Sequence, residues 1–227
     1  MTPEFICARL ARPRQSKERG DVATAMHLLK TGSLQPFTEG LFGSIPSSGI
    51  PYEKGAGAPG GQVQRTSAAV LVPLVNKESG FTVVLTKRTT KLRKHAGQVA
   101  FPGGKHEECD IDATACALRE AEEEIGLTSN KVHVAGQLDS YLTITGFQVA
   151  PIVGIVEPPF TPVPDPLEVA DVFEVPLSFF LEPANHQRVR RTVKGLDRAY
   201  FAMPYDGHYI WGATAGMLLN LYEVLTD

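Results

Sequence analysis

The sequence predicts an α/β sandwich, a mixed sheet with helices on both faces, and three observations predict it. Residues 67–75 and 81–87 are β-rich runs separated by Asn76-Lys77-Glu78-Ser79-Gly80, a hairpin signal. Ala113–Ile125 follows at helical period, with Thr114, Ala117, Leu118, Ala121 and Ile125 on one apolar arc. Two more strands, over 132–138 and Phe147–Val156, precede a closing amphipathic helix over 212–225. Strands interleaved with helices in this order favour an α/β/α layering.

The remaining elements fit around that frame. Residues 1–20 carry Arg9, Arg12, Arg14, Lys17 and Arg19 and read as a frayed basic tail. Residues 21–30 read as a short helix capped by Asp21, with Val22, Met26 and Leu29 on one stripe. Rich in Gly, Pro and Ser, residues 31–62 read as an irregular arm. The chain thus divides into an N-terminal arm, 1–62, and a domain, 63–227. Within the domain, 98–101 is a short strand leading to a glycine turn. After a Pro-rich loop over 157–166 come a strand at 172–175 and a short helix at 177–181. Residues 198–203 and 209–210 are predicted to pair as the closing strands.

Composition excludes several classes of function. A formal net charge of −3 over 227 residues leaves no basic footprint for nucleic acid. No run reaches the apolar length of a membrane span, and no secretory apolar core opens the chain. Three scattered cysteines, Cys7, Cys109 and Cys116, indicate neither a disulfide framework nor a zinc site. A cytoplasmic protein acting on a small molecule is expected; a homodimer stays open.

The chemistry concentrates between Phe101 and Leu127. On the predicted helix Glu120, Glu123 and Glu124 occupy positions i, i+3 and i+4, within about 100° of arc. Like charges so placed repel by roughly 0.2–0.5 kcal/mol per pair, a sign that a hard divalent cation reverses. Mg²⁺ takes oxygen ligands from one or two carboxylates, completed by water and substrate phosphates. Phe101-Pro102-Gly103-Gly104 has the residues of a type II turn and lets backbone approach a ligand. Asp110 or Asp112 caps the helix start, and Gly126 stops it in a left-handed conformation.

These residues resemble a known family. Arg119, Glu120, Glu123, Glu124 and Gly126 match the Arg-Glu-x-x-Glu-Glu-x-Gly core of the Nudix hydrolase box, over Gly104 to Leu127. Leu85-Thr86-x-Arg88, then Arg93, Gly97 and Phe101-Pro102-Gly103-Gly104, resemble the motif of the coenzyme A diphosphatase branch. Two positions depart: Ile111 stands where the usual box has a Glu, flanked by Asp110 and Asp112, and Gly104 lies one residue further from Arg119. The departure leaves open which acid pairs with Arg119.

The resemblance implies a Nudix-type sandwich that hydrolyses the pyrophosphate bond of coenzyme A or its thioesters. It implies Mg²⁺ or Mn²⁺ held by Glu120 and Glu124, with Glu123 helping. Glu123 and Glu168 are the two candidates for the base, and Arg119 braces loop and helix. Arg88, Arg93 and His95 are expected at the substrate, with Gly103 and Gly104 keeping the turn open. Two rivals remain: another nucleoside diphosphate derivative such as ADP-ribose, and a non-catalytic nucleotide-binding module.

Overall fold

The computed structural model describes residues 1–14, 17, 19–21, 23–24, 35–36, 65–90, 95–193 and 196–227. Arg93, most of the predicted 21–30 helix and most of the 31–62 arm lie outside the described residues. In chain order the first strands are β1 (Arg19–Gly20), β2 (Gln35–Pro36), β3 (Thr66–Lys77), β4 (Gly80–Arg88), β5 (Val99–Ala100) and β6 (Gly103–Lys105). There follow β7 (Val132–Gln137), β8 (Tyr141–Leu142), β9 (Phe147–Val156), β10 (Val169–Pro176), β11 (Gln187–Val193) and β12 (Leu196–Ala202).

The main sheet runs β1-β8-β9-β3-β4-β10, with β5 on β4, β6 on β3 and β7 on β9. β3 and β9 are parallel along ten residues, Thr66 to Val75 against Phe147 to Val156. β4, β6, β7 and β10 pair antiparallel with their neighbours, so the sheet is mixed as predicted. β12, β11 and β2 form a second, smaller sheet.

Alternation along β3 assigns the two faces. Ala69, Leu71 and Val75 pack with Val84, Ile152 and Val156 against Ala117, Ala121 and Ile125 of the acidic helix, Ala113–Ile125. Val72 and Leu74 turn the other way, with Val83, Leu85 and Ile155, onto Leu218, Leu221 and Leu225 of the C-terminal helix, Gly212–Thr226. Both faces of the central strands are therefore covered, which is why they read as near-continuous apolar runs.

Several expectations change. Residues 3–10 are a helix rather than a frayed tail: Thr2 caps it and Ile6 and Leu10 are buried in the core. Arg9 is buried too, its Nε donating to the Val224 carbonyl at 2.9 Å. Burial of Ile6 and Leu10 contributes about 1.5–3 kcal/mol each, which outweighs a basic composition. β12 takes β11 as its partner over its whole length, whereas 209–211 meets it only through a bridge between Ala202 and Trp211. β8, two residues long, carries too little periodicity to be foreseen.

Candidate active site

The acidic helix is fixed at both ends by local chemistry. Asp112 adopts an extended conformation and its Oδ1 accepts from the Ala115 N–H at 2.8 Å. Gly126 has φ 67°, and the N–H groups of Gly126 and Leu127 return to the carbonyls of Glu122 and Ala121. The buried set is Cys116, Ala117, Ala121, Glu124 and Ile125. Thr114 and Leu118, expected in the core, are only half-buried. β6 runs beside the helix and covers the Cys116 and Glu124 edge instead. Cys116 Sγ points to the Lys105 carbonyl, and burial pushes its thiol up to about 11, so it stays protonated.

Gly103 and Gly104 are strand residues, not the centre of a type II turn. They pair with Val70 and Ala69 of β3. A Cβ on Gly103 would lie 2.5 Å from the Ala69 carbonyl oxygen, and one on Gly104 would overlap the Glu120 carboxylate. Glycine is needed here for close approach: the first lets two strands meet, and the second leaves room for a carboxylate.

Arg119 gathers the loop before the helix. Its Nε and Nη2 donate to Asp110 Oδ1 and Oδ2, both at 3.0 Å, a bidentate pair. Nη2 also reaches Glu120 Oε1 at 3.0 Å and the Lys105 carbonyl at 3.2 Å, while Nη1 reaches Glu123 Oε2 at 2.9 Å. Asp110 is thus the partner that the sequence left open. The guanidinium, aided by the Glu107 N–H, holds the Asp110 carboxyl well below the usual carboxylate range.

Arg88 ties the second cluster. Nη1 donates to Glu124 Oε1 and Nη2 to Glu168 Oε2, each at 3.3 Å, and the Gly103 N–H points to Glu124 Oε2 at 3.3 Å. Glu168, far away in sequence, arrives because its loop hooks onto the helix end. The Val163 and Asp165 N–H groups donate to the Ile125 and Glu124 carbonyls, and the Thr89 N–H to the Glu168 carbonyl. Burial pushes Glu124 up to about 7, with Arg88 and the Gly103 N–H pulling back and Glu168 and Glu120 adding like charge. Glu120 is raised by the same burial, against the pull of Arg119.

Glu123 diverges from its neighbours, 59% exposed and engaged with Arg119. Among the described residues no three His, Cys, Asp or Glu side chains are gathered at ligating distance. In the structure Glu120 and Glu123 face Arg119, and Glu124 faces Arg88. His95, at φ 56°, holds its Nδ1 2.9 Å from Gln98 Oε1.

Arg88, His95 and Gly103 also line a cavity of about 310 Å³ on the opposite face of the sheet. Tyr200 and Trp211, with ring centroids 5.2 Å apart, stand in its wall, and Thr214 Oγ1 donates to the Val99 carbonyl beside it. The sequence reading assigns Trp211-Gly212-Ala213-Thr214 no place among the site residues. The available signal was an aromatic immediately before a helix N-terminus that follows a closing strand.

A mixed sheet between two helical layers, with carboxylates tied by Arg88 and Arg119 at its edge, defines an α/β sandwich that gathers its acidic side chains in one place. Residues 65–192 match the NUDIX domain model. An uncharacterized Nudix hydrolase NudL of Enterobacter sp. (strain 638) is 41% identical over 159 residues, covering 70% of this chain and 82% of that protein. Its namesake from Photorhabdus laumondii is 42% identical over 156 residues, 69% and 83% of the two chains. Among solved structures, a MutT/nudix family protein from Enterococcus faecalis aligns at 12% identity over 70% of this chain and 61% of its own, TM-score 0.45. The chain belongs to the Nudix family, and its enzymatic class is that of a pyrophosphohydrolase.

Proposed function

We propose that the protein hydrolyses the pyrophosphate bond of coenzyme A or its thioesters, giving 3′,5′-ADP and 4′-phosphopantetheine or its acylated form. One observation carries the reading. Arg88, the arginine of the Leu85-Thr86-x-Arg88 motif, bridges Glu124 and Glu168 and lines the cavity. A guanidinium already holding two carboxylates there is placed to exchange them for phosphate oxygens, which it binds bidentately.

The donor set fits a hard divalent cation. Glu124 is a buried carboxylate, repelled by Glu168 and Glu120, and Gly104 leaves open the space beside Glu120. Glu120 and Glu124 would hold Mg²⁺ or Mn²⁺, each exchanging an arginine contact for it. When bound, the ion neutralises the pyrophosphate and lowers the pKa of a water. Glu168, half-exposed and tethered by its carbonyl to Thr89, is favoured over Glu123 to take the proton of the attacking water. The water oxygen forms a bond to phosphorus as the bridging P–O bond breaks in line, and the departing phosphate keeps the electron pair. Arg119 keeps Asp110 and the Lys105 carbonyl in register with the helix, and so acts on position rather than on substrate. Arg93 and His95 are assigned to the substrate side by the same motif. Residues 63–227 form the hydrolase domain in this reading and 1–62 an arm on it.

No helix among the described residues is long and apolar enough to cross a membrane. Cys7, Cys109 and Cys116 are all free thiols, which suits a cytoplasmic setting.

Purified protein with Mg²⁺ or Mn²⁺ is expected to release 3′,5′-ADP from coenzyme A faster than it cleaves ADP-ribose or NADH. Preference for ADP-ribose would move the assignment to another nucleoside diphosphate. Failure to cleave any of the three would leave a binding module.

A further inference from the structure

The cavity has a wall that comes from outside the domain. Asp21 and Thr24 line it, more than forty residues before the match to the NUDIX domain begins at residue 65. β1 lies parallel to β8, Arg19 beside Tyr141 and Gly20 beside Leu142. Arg19 is pinned by Asp139 at 2.7 Å and Glu223 at 2.6 Å. Asp21 follows at once, and its two oxygens take different donors: Oδ1 the Tyr141 hydroxyl at 2.9 Å, and Oδ2 the Ile144 N–H at 2.7 Å. Tyr141, Thr143, Ile144 and Thr145 all line the same cavity. One carboxylate therefore sets the position of a cavity-lining ring and a cavity-lining loop.

The chemistry of the lining restricts the occupant. Among the described lining residues the groups able to carry positive charge are Arg88 and His95, and Arg88 stands at the carboxylate edge, where the pyrophosphate is placed. Aromatic rings, threonine hydroxyls and Gln98 make up much of the rest. Away from Arg88 and His95 the described lining offers a phosphate no cation to offset its desolvation, whereas an uncharged chain with amide groups finds apolar contact and hydroxyl partners. The volume, about 310 Å³, is at the small end of ligand pockets, roughly 300–1,000 Å³. Of the two arms of coenzyme A, one carries a 3′-phosphate and the other, the pantetheine, is neutral.

We infer that the N-terminal strap, Arg19 to Asp21 with Thr24, is a specificity-determining wall of this cavity, and that the cavity takes the neutral pantetheine arm of the substrate. The choice of occupant rests on the coenzyme A reading; the role of the strap rests on the Asp21 contacts. Asp21 does not touch the reacting atoms. It positions Tyr141 and the 143–145 loop, so its loss affects recognition of the arm and leaves the chemistry of the pyrophosphate in place.

Trp211, the one tryptophan of the chain, lies in the cavity wall and reports on occupancy. Free pantetheine titrated into the full chain is expected to change Trp211 fluorescence saturably, with Kd raised at least tenfold in Asp21→Ala. Thr24→Phe, which narrows the cavity and removes the Thr24 hydroxyl from Tyr141 while keeping the Asp21 carboxylate, is the second variant, and thermal melting checks both folds. With coenzyme A as substrate, Asp21→Ala is expected to raise KM tenfold with kcat within twofold, while kcat/KM for methyl-ADP, which lacks the arm, stays unchanged. No saturable signal in the wild type overturns the inference even if coenzyme A is hydrolysed, as does a Kd in both variants equal to that of the wild type. Pantetheine binding without coenzyme A hydrolysis would retain the strap and overturn the proposed function instead.

Discussion

The two faces of the central sheet solve opposite problems with the same strands. On one face the acidic helix buries Glu124 beside Glu120 and Glu168, and the charges are held by Arg88 and Arg119. On the other the C-terminal helix and the N-terminal helix, Pro3–Leu10, close an apolar core around Leu218, Leu221, Ile6 and Leu10. Removing one partner of a buried charged pair leaves an unpaired charge, and removing an apolar side chain leaves a cavity. The buried charges of the first face should therefore answer to mutation in activity and in pH dependence, the apolar core of the second in stability alone.

The largest effect is expected at Glu124. Glu124→Gln should lower kcat by on the order of 10³, the scale of losing one strong electrostatic contribution to a transition state. The fold should persist, and above pH 7 it should melt at higher temperature than the wild type. The sign follows from the raised carboxyl: near 7 when folded against about 4.3 in an open chain, it costs stability once ionised. That cost is absent below the unfolded value, grows as pH rises between the two, and is complete above 7. Adding Mg²⁺ or Mn²⁺ at pH 8 should raise the wild-type melting temperature and leave that of Glu124→Gln unmoved. A fully active variant would break the comparison.

Across the sheet, Ile6→Ala removes a wholly buried side chain and should cost about 2–5 kcal/mol in denaturant unfolding. The kcat of the molecules that remain folded should not change. An effect below 0.5 kcal/mol would mean that the N-terminal helix is not part of the core.

A smaller effect returns to the acidic face. Because Arg119 depresses the Asp110 carboxyl, its contribution to stability is present above the unfolded value, about 3.9, and fades as pH falls below that toward the lowered folded value. The difference in melting temperature between wild type and Asp110→Asn should be constant from pH 8 to pH 5 and shrink on further acidification. A difference that grows in acid would refute the pairing. The smallest effect is Asp112→Ala, which removes the cap bond to the Ala115 N–H and should cost about 1 kcal/mol with kcat unaltered.

How much of this was legible beforehand differs between the same two regions. The hairpin of β3 and β4, strand β9 and both ends of the acidic helix carry their signals locally, in alternation, an Asx cap and a stop glycine, and they stand where expected. The N-terminal helix misled because Ile6 and Leu10 are two apolar residues among many cations, and their burial depends on a C-terminal helix two hundred residues away. Gly103 and Gly104 misled in the opposite direction. Their turn-like composition serves close approach to β3 and to Glu120, a requirement that a local window does not contain.

Sequence by itself determined the layered α/β class, the box Arg119-Glu120-x-x-Glu123-Glu124 and the motif arginine Arg88, because periodicity and motif spacing are properties of neighbouring residues. Only the tertiary structure decided that Asp110 pairs with Arg119, that Arg88 joins Glu124 to Glu168 across 80 positions of chain, and that Asp21 walls the cavity. Those contacts depend on which loop is hooked to which helix end, and that is fixed by the packing of the whole sheet.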